Sequence, residues 1–453
     1  MAKSIESHSL NARQIHKISI DDLAAGANSK QTVRSTTERI RFAVSVYIVT
    51  LGVLAFQFMN NLREVDAFKT VHWVWNYELG FVKRALPGAT AEWLLGQRIN
   101  GQDTILYISS TVVLTVFLAY AAFAAVVAYG RPTPRVAVIA LSGALLQPAL
   151  PNFAFDLGRF DAINFLLFLL ACHAIVSGSR QLAVTAVATC GSVAMLVHEA
   201  FLIMHLPLLL AVLTMRLATV DGLRGRSLVA TVMIAAALPL AAFAVVWVLG
   251  SPSVPQTEWR AHWNAQLTQS NIYTDSALEL HYAGIAEDVR ITMSYFSLIG
   301  LIMGIATVAA ATGVAAAVWR YWIPDGIRWE RLTCFVAALM PVLMFPLGLD
   351  FLRWSSAVTL NFLIAALCLS CLIRPPADDS LEPRHMGWLV SHSGRSTLRV
   401  MLVALAYVYL MSPQSAGITT LRLPRPFNCL YGSHGTGIVN TVDCAANDLG
   451  VEQ

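Results

Sequence analysis

Apolar runs long enough to cross a bilayer recur from residue 41 to residue 414, and no other feature constrains the fold as much. A hydrocarbon core of about 30 Å takes roughly 20 mostly apolar residues per helix. About eleven segments meet that test: 41–60, 104–129, 135–150, 162–177, 181–197, 200–217, 227–250, 292–319, 332–349, 355–373 and 398–414. Short polar links separate 181–197 from 200–217 and 332–349 from 355–373, so either pair can be counted as one span or two. Only 13% of the 453 residues are charged and 56% are hydrophobic, whereas soluble domains carry roughly a quarter charged residues. A soluble enzyme, a secreted mini-protein, a disordered tail and a nucleic-acid module are excluded as readings of the whole chain. The expected fold is all-α, a polytopic integral membrane helical bundle of about eleven transmembrane helices.

Sidedness follows from Lys and Arg. With eleven spans, the N-terminus and the even-numbered loops share one side, holding about 20 Lys/Arg and about 10 Asp/Glu. The other side holds about 11 and about 17 of the chain's 31 and 27. The basic side is cytoplasmic by the positive-inside rule, which puts the N-terminus inside and the C-terminus outside. Residues 1–40 are basic, contain no apolar run, and read as a cytoplasmic tail before a retained signal anchor. Residues 41–414 form the membrane domain, with outer loops at 61–103 and 251–290, and 415–453 form an outer tail. Cys172, Cys190, Cys334, Cys368 and Cys371 sit in apolar spans and read as packing residues. Cys429 and Cys444 fall in the outer tail, where an oxidising compartment favours a disulfide between them.

The chemistry-bearing residues gather on the outer side. In the first outer loop, Trp73, Trp75, Tyr77 and Trp93 are spaced among apolar residues, as expected of a segment lying at headgroup level. It contains Asn76-Tyr-Glu-Leu-Gly-Phe-Val-Lys-Arg-Ala-Leu-Pro-Gly88, whose Lys83 and Arg84 either anchor headgroups or grip a phosphate. After the third span comes Pro151-Asn-Phe-Ala-Phe-Asp156-Leu-Gly-Arg159-Phe-Asp161. Two carboxylates around one arginine at the membrane edge either pin two helix ends or supply a general base or metal ligand, with Arg159 orienting a phosphate. Asp156 and Asp161 do not align on a continuous helix, and a break at Gly158 brings both to one pocket.

His198-Glu199 lies between the fifth and sixth spans, without the second histidine of a zinc-protease motif. His205 falls inside an apolar run and reads as packing or an interhelical hydrogen bond. Asp350 and Arg353, spaced i,i+3 at the outer end of the ninth span, can pair on one helix face. The loop at 251–290 offers Trp259, Arg260, His262, Trp263, Tyr273, His281 and Tyr282, suited to sugar stacking or to an interfacial helix. If these helix ends converge, they form an outward cavity holding several cations and carboxylates.

In architecture this pattern resembles the integral-membrane glycosyltransferases of the GT-C superfamily, which take a sugar from a polyprenyl-phosphate carrier on the non-cytoplasmic face. In that family the first outer loop bears an acidic catalytic residue; here it offers Asp66 and Glu78, with no Asp-Asp or Glu-Asp pair after the first span. The Gly-Phe-Val-Lys-Arg-Ala-Leu-Pro-Gly, Asp-Leu-Gly-Arg-Phe-Asp and His-Glu segments are also similar to bacterial membrane proteins associated with surface polysaccharides. The resemblance implies glycosyl transfer from a polyprenyl-(pyro)phosphate-linked sugar in the bacterial inner membrane. Asp156, Asp161, His198 and Glu199 are then the catalytic candidates, and Glu78, Lys83, Arg84, Arg159, Asp350 and Arg353 the substrate-binding ones. No cofactor is required by the sequence, and a divalent cation on Asp156 or Asp161 is the alternative. Expected partners are the polyprenyl-linked sugar, membrane lipids and a polysaccharide-synthesis complex, with no nucleic acid. The close enzyme alternative is an O-antigen or exopolysaccharide polymerase, and the alternative of another class is a transporter or flippase of a lipid-linked or anionic substrate.

Overall fold

A computed structural model describes residues 36–60, 65, 67–99, 101–146, 149–266, 329–347 and 351–373. Every element among them is a helix. Five are long and apolar enough to cross a membrane: α1 (Thr36–Asn60), α4 (Gln102–Gly130), α8 (Arg180–Val197), α11 (Gly225–Leu249) and, from Arg353, α14 (Phe351–Leu372). The apolar runs at 292–319 and 398–414 and the Cys429–Cys444 pair lie outside the described residues.

Four other expected spans are shorter helices, and proline accounts for much of the difference. The run 135–150 is helical only to Leu145, as α5 (Pro134–Leu145), and α6 (Pro151–Phe155) begins just beyond it. Thr133 caps α5 by accepting from the Val136 amide, and Pro134 and Pro151 each open a helix where no donor is needed. The run 200–217 divides into α9 (Phe201–Met204) and α10 (Leu206–Thr219). Pro207 lacks an N–H and cannot continue a helix through His205. The run 332–349 starts as α13 (Trp329–Leu339) and tightens into a 3₁₀ turn at Met340–Leu347, which contains Pro341 and Pro346. The remaining shorter helix, α7, runs Asp161–Ser177.

Helix α14 is the central element: 89% of its apolar window is buried, against 22% for α11 and 28% for α1. The latter two turn Ile48, Phe56, Met59, Ile234 and Val248 outward. In water, apolar side chains on that scale would be an aggregation surface; against lipid tails they are the expected covering. Between helices, where lipid is as apolar as leucine, association depends on close packing and small residues. Gly191 of α8 lies against Pro239 of α11, and a Cβ there would come 2.8 Å from the proline ring. Gly143 of α5 admits the Tyr120 ring of α4, whose hydroxyl donates to the Ala140 carbonyl at 3.1 Å.

The two ends of the bundle differ. At one end arginines cap chain ends: Arg216 donates to the Ile175 and Gly178 carbonyls where α7 finishes, and Arg131 donates to the Ile373 carbonyl after α14. The other end gathers the start of α7, the end of α8, the start of α14, and two short helices of the first loop, α2 (Ala67–Val74) and α3 (Leu86–Leu95). Beside them sits α12 (Gln256–Gln266).

Candidate functional site

The turn between α6 and α7 is where the site begins. Gly158 has φ +92°, a conformation L side chains rarely adopt, and it reverses the chain between Asp156 and Asp161. It also lets α2 approach closely, since a Cβ at Gly158 would lie 2.7 Å from Val65 Cγ1 and 3.0 Å from Lys69 Cβ. Trp73 Nε1 donates to the Gly158 carbonyl at 2.7 Å. This docking sets Lys69 Nζ 2.6 Å from Asp156 Oδ1, while Arg159 Nε lies 3.6 Å from the other carboxylate oxygen. Burial alone would raise the Asp156 pKa; Lys69 and then Arg159 outweigh it and hold the carboxyl at about 2.

Asp161 opens α7 and receives Arg353 from the first turn of α14. Arg353 Nη2 donates to Oδ1 at 2.7 Å and Nε sits against Oδ2, a two-pronged contact between residues far apart in sequence. A carboxylate suits a helix N-terminus and an arginine does not, so Asp161 holds Arg353 where the dipole of α14 would disfavour it. Arg353 Nη2 also lies 3.0 Å from His198 Nε2. His198 follows α8 in extended conformation, takes the Ala200 amide on Nδ1 at 3.2 Å, and offers its own carbonyl to Asn164. Burial, then Arg84, push its pKa well below the usual histidine value, with Glu199 opposing and Arg353 assisting. His198 is thus a neutral ring with a single lone pair, its Nδ1 near both the Ala200 amide and Glu199 Oε2 (3.5 Å) and its Nε2 near Arg353.

Arg84 completes the chain of charges, its Nε lying 3.0 Å from both Glu199 oxygens with Nη2 against Oε1. Among the described residues it is the one non-glycine with positive φ, at 64°, a backbone strain of the kind found at functional sites. Burial would raise the Glu199 pKa, but Arg84 outweighs it and keeps the carboxylate ionised. Among the described residues, Lys69, Arg84, Arg159 and Arg353 gather around Asp156, Asp161 and Glu199.

A tight cavity opens beside these groups, with room for about one water-sized group before it meets open solvent. Asp156, Arg159, Asp161, His205, Arg353 and Ser356 line it. Both aspartates therefore reach one pocket across the Gly158 turn. All four outer constellations are joined by the contacts Arg84–Glu199, His198–Arg353 and Arg353–Asp161. Arg353 reaches Asp161 on α7; its expected partner Asp350 lies outside the described residues, as does Asp66.

Other expected residues sit elsewhere. Glu78 is exposed and bonds Arg98 at 2.5 Å and His262 at 3.2 Å. Lys83 is half-buried; its amide donates to the Gly250 carbonyl at 2.9 Å, and its charge helps to lower the Glu199 pKa. The tryptophans differ from the aromatic reading, while Tyr273, His281 and Tyr282 lie outside the described residues. Trp75, Trp259 and Trp263 are fully buried in a small core with Val71, Val74 and Val82, and Trp73 is buried as well. They clamp α12 to the first loop and offer no stacking face for a sugar. Trp93 alone of the five tryptophans stands out, 79% exposed beside Leu94.

Sequence reasoning missed Lys69, Ser356 and Asn361. Lys69 had no motif around it. Asn361 did leave a signal, an amide in the middle of an apolar run. Among the described residues no group of three or more His, Cys, Asp or Glu is placed to hold a metal ion. No protein-family model, curated protein or solved structure matches this chain.

Proposed function

We propose that this is a multi-pass protein of the bacterial inner membrane, with about eleven spans, the N-terminus inside and the C-terminus outside. We assign it the transfer of a sugar from a polyprenyl-(pyro)phosphate carrier at the outer face, in cell-surface polysaccharide assembly. The observation that carries this reading is the cavity at one end of an apolar helical bundle, edged by the guanidinium groups of Arg159 and Arg353. Guanidinium groups at the cavity edge suit an anionic headgroup, and the apolar exterior suits its lipid tail. Leaving-group charge develops on phosphate in the transition state, where fixed guanidinium groups stabilise it most. Arg159 and Arg353 take that role, with Arg84 and Lys83 flanking. Any divalent cation would be held by Asp156 or Asp161 and would polarise the same phosphate.

A second reading, an outer-face polymerase that relies on arginines, is favoured by one observation: Asp156 and Asp161 are both committed to cations. Binding of undecaprenyl phosphate to the protein in nanodiscs tests the shared core of both. Arg353→Ala and Arg159→Ala should each weaken it at least tenfold, about 1.4 kcal/mol, while Arg98→Ala, which frees Glu78, should not. Equal binding by all variants would remove the phosphate role of this cavity.

A further inference from the structure

Asn361 lies in the middle of α14 and is fully buried. Its Nδ2 donates at 2.6 Å to the Met204 carbonyl, at the helix break before Pro207. That bond fixes the amide, so Oδ1 faces His205 Nδ1 at 2.8 Å. A carbonyl oxygen only accepts; Nδ1 therefore carries a proton, and in the neutral ring the lone pair is on Nε2. The ring is clamped by Phe168, stacked at 4.9 Å, with Phe165 and Phe201 beyond it. His205 is 2% exposed yet lines the cavity with Arg159 and Arg353. Among the described residues no hydrogen bond engages its Nε2. Ser356 lines the same cavity, is 3% exposed, and its hydroxyl has no partner among the described residues. Two buried polar atoms left unused on one cavity indicate a group that enters it.

We propose that His205 Nε2 is the proton acceptor of the site and that the entering group is a hydroxyl of the sugar acceptor. This rests on the glycosyl-transfer reading. The aspartates are engaged by Lys69, Arg159 and Arg353, and both His198 nitrogens are occupied, Nδ1 by the Ala200 amide and Glu199 and Nε2 by Arg353, which leaves His205 as the base with an open lone pair. In the transfer step the acceptor O–H gives its proton to His205 Nε2 as its oxygen bonds the anomeric carbon. The bond from that carbon to the phosphate oxygen breaks, and its electron pair stays on the phosphate beside Arg159 and Arg353. Asn361 is a positioning residue that holds the tautomer, and Ser356 hydrogen-bonds the incoming hydroxyl.

Full-length protein labelled with ¹⁵N-histidine, in nanodiscs, tests the tautomer, with His205 assigned by the signals lost in His205→Asn. Nδ1 protonated and Nε2 bare is the expected result; the opposite tautomer overturns the proposal. Turnover of polyprenyl-linked sugars extracted from the native membrane tests the role. His205→Asn keeps a donor toward Asn361 and removes Nε2, so undecaprenyl phosphate binding should hold while turnover falls roughly 100-fold or more. Turnover near that of the unaltered protein overturns the proposal. Should His205→Asn fail to fold, Asn361→Leu leaves the ring in place and should mix the tautomers and slow turnover; an unchanged tautomer and rate overturn it. If the unaltered protein binds the lipid but consumes no sugar, the transferase reading fails with the hydroxyl, and the tautomer separately reports the His205 geometry.

Discussion

Arg353 and Asp161, 192 residues apart in sequence, meet at the first turns of α14 and α7 with an Nη2–Oδ1 distance of 2.7 Å. Their side chains are 13% and 8% exposed, so this is a buried pair whose desolvation is offset only while both partners are present. Arg353→Ala should destabilise the protein by about 3–5 kcal/mol by leaving Asp161 uncompensated. The double variant Arg353→Met with Asp161→Leu should recover much of that loss. Thermal unfolding of the unaltered protein, Arg353→Met, Asp161→Leu and the double variant in one detergent checks the coupling; additive losses would contradict it.

Gly158 supports the same end of the bundle. Gly158→Ala adds a Cβ into Val65 and Lys69 at φ +92° and should cost about 1–3 kcal/mol through strain and overpacking. Because Lys69 must move, binding of undecaprenyl phosphate should fall with stability. Unchanged melting and binding would mean the turn adapts freely.

The Asp156 carboxyl sets an acid limit. Its folded pKa of about 2 lies below the ordinary 3.8, so its contribution is complete above about pH 4 and is lost as pH falls towards 2. That contribution is about 2 kcal/mol. Lys69→Met should raise the pKa and flatten this part of the stability–pH curve, measured by chemical denaturation from pH 2 to 6. A curve identical to that of the unaltered protein would contradict the assignment.

Much of the site was legible because charge is scarce in this chain. Asp156, Arg159, Asp161, His198, Glu199 and Arg353 stood out against long apolar runs, and one topology placed them all on one side. Their partners were not legible, since a hydrogen bond across 192 residues depends on helix packing that spacing does not encode. The aromatic residues misled for a related reason. Trp259 and Trp263, at i,i+4 on a polar helix, look the same whether they face lipid, sugar or a small core. Span lengths failed at prolines: the runs at 135–150 and 200–217 are mostly apolar, yet the first stops as a helix at Leu145, before Pro151 opens α6, and the second breaks at His205, before Pro207.

Burial of those tryptophans has its own consequence. Trp259→Ala should remove about 3–5 kcal/mol of local packing and loosen α12 from the first loop. Hydrogen exchange should rise at residues 256–266 and remain unchanged at the Arg353–Asp161 pair. Unchanged exchange at α12 would contradict the clamp.

The most direct test is turnover by the purified protein in nanodiscs supplied with polyprenyl-linked sugars from its native membrane. The account expects the sugar to be consumed and polyprenyl (pyro)phosphate released, with Arg353→Lys slowing the reaction by roughly tenfold or more because a lysine cannot reproduce the two-pronged contact. Intact binding of undecaprenyl phosphate with no consumption of any sugar donor would contradict it.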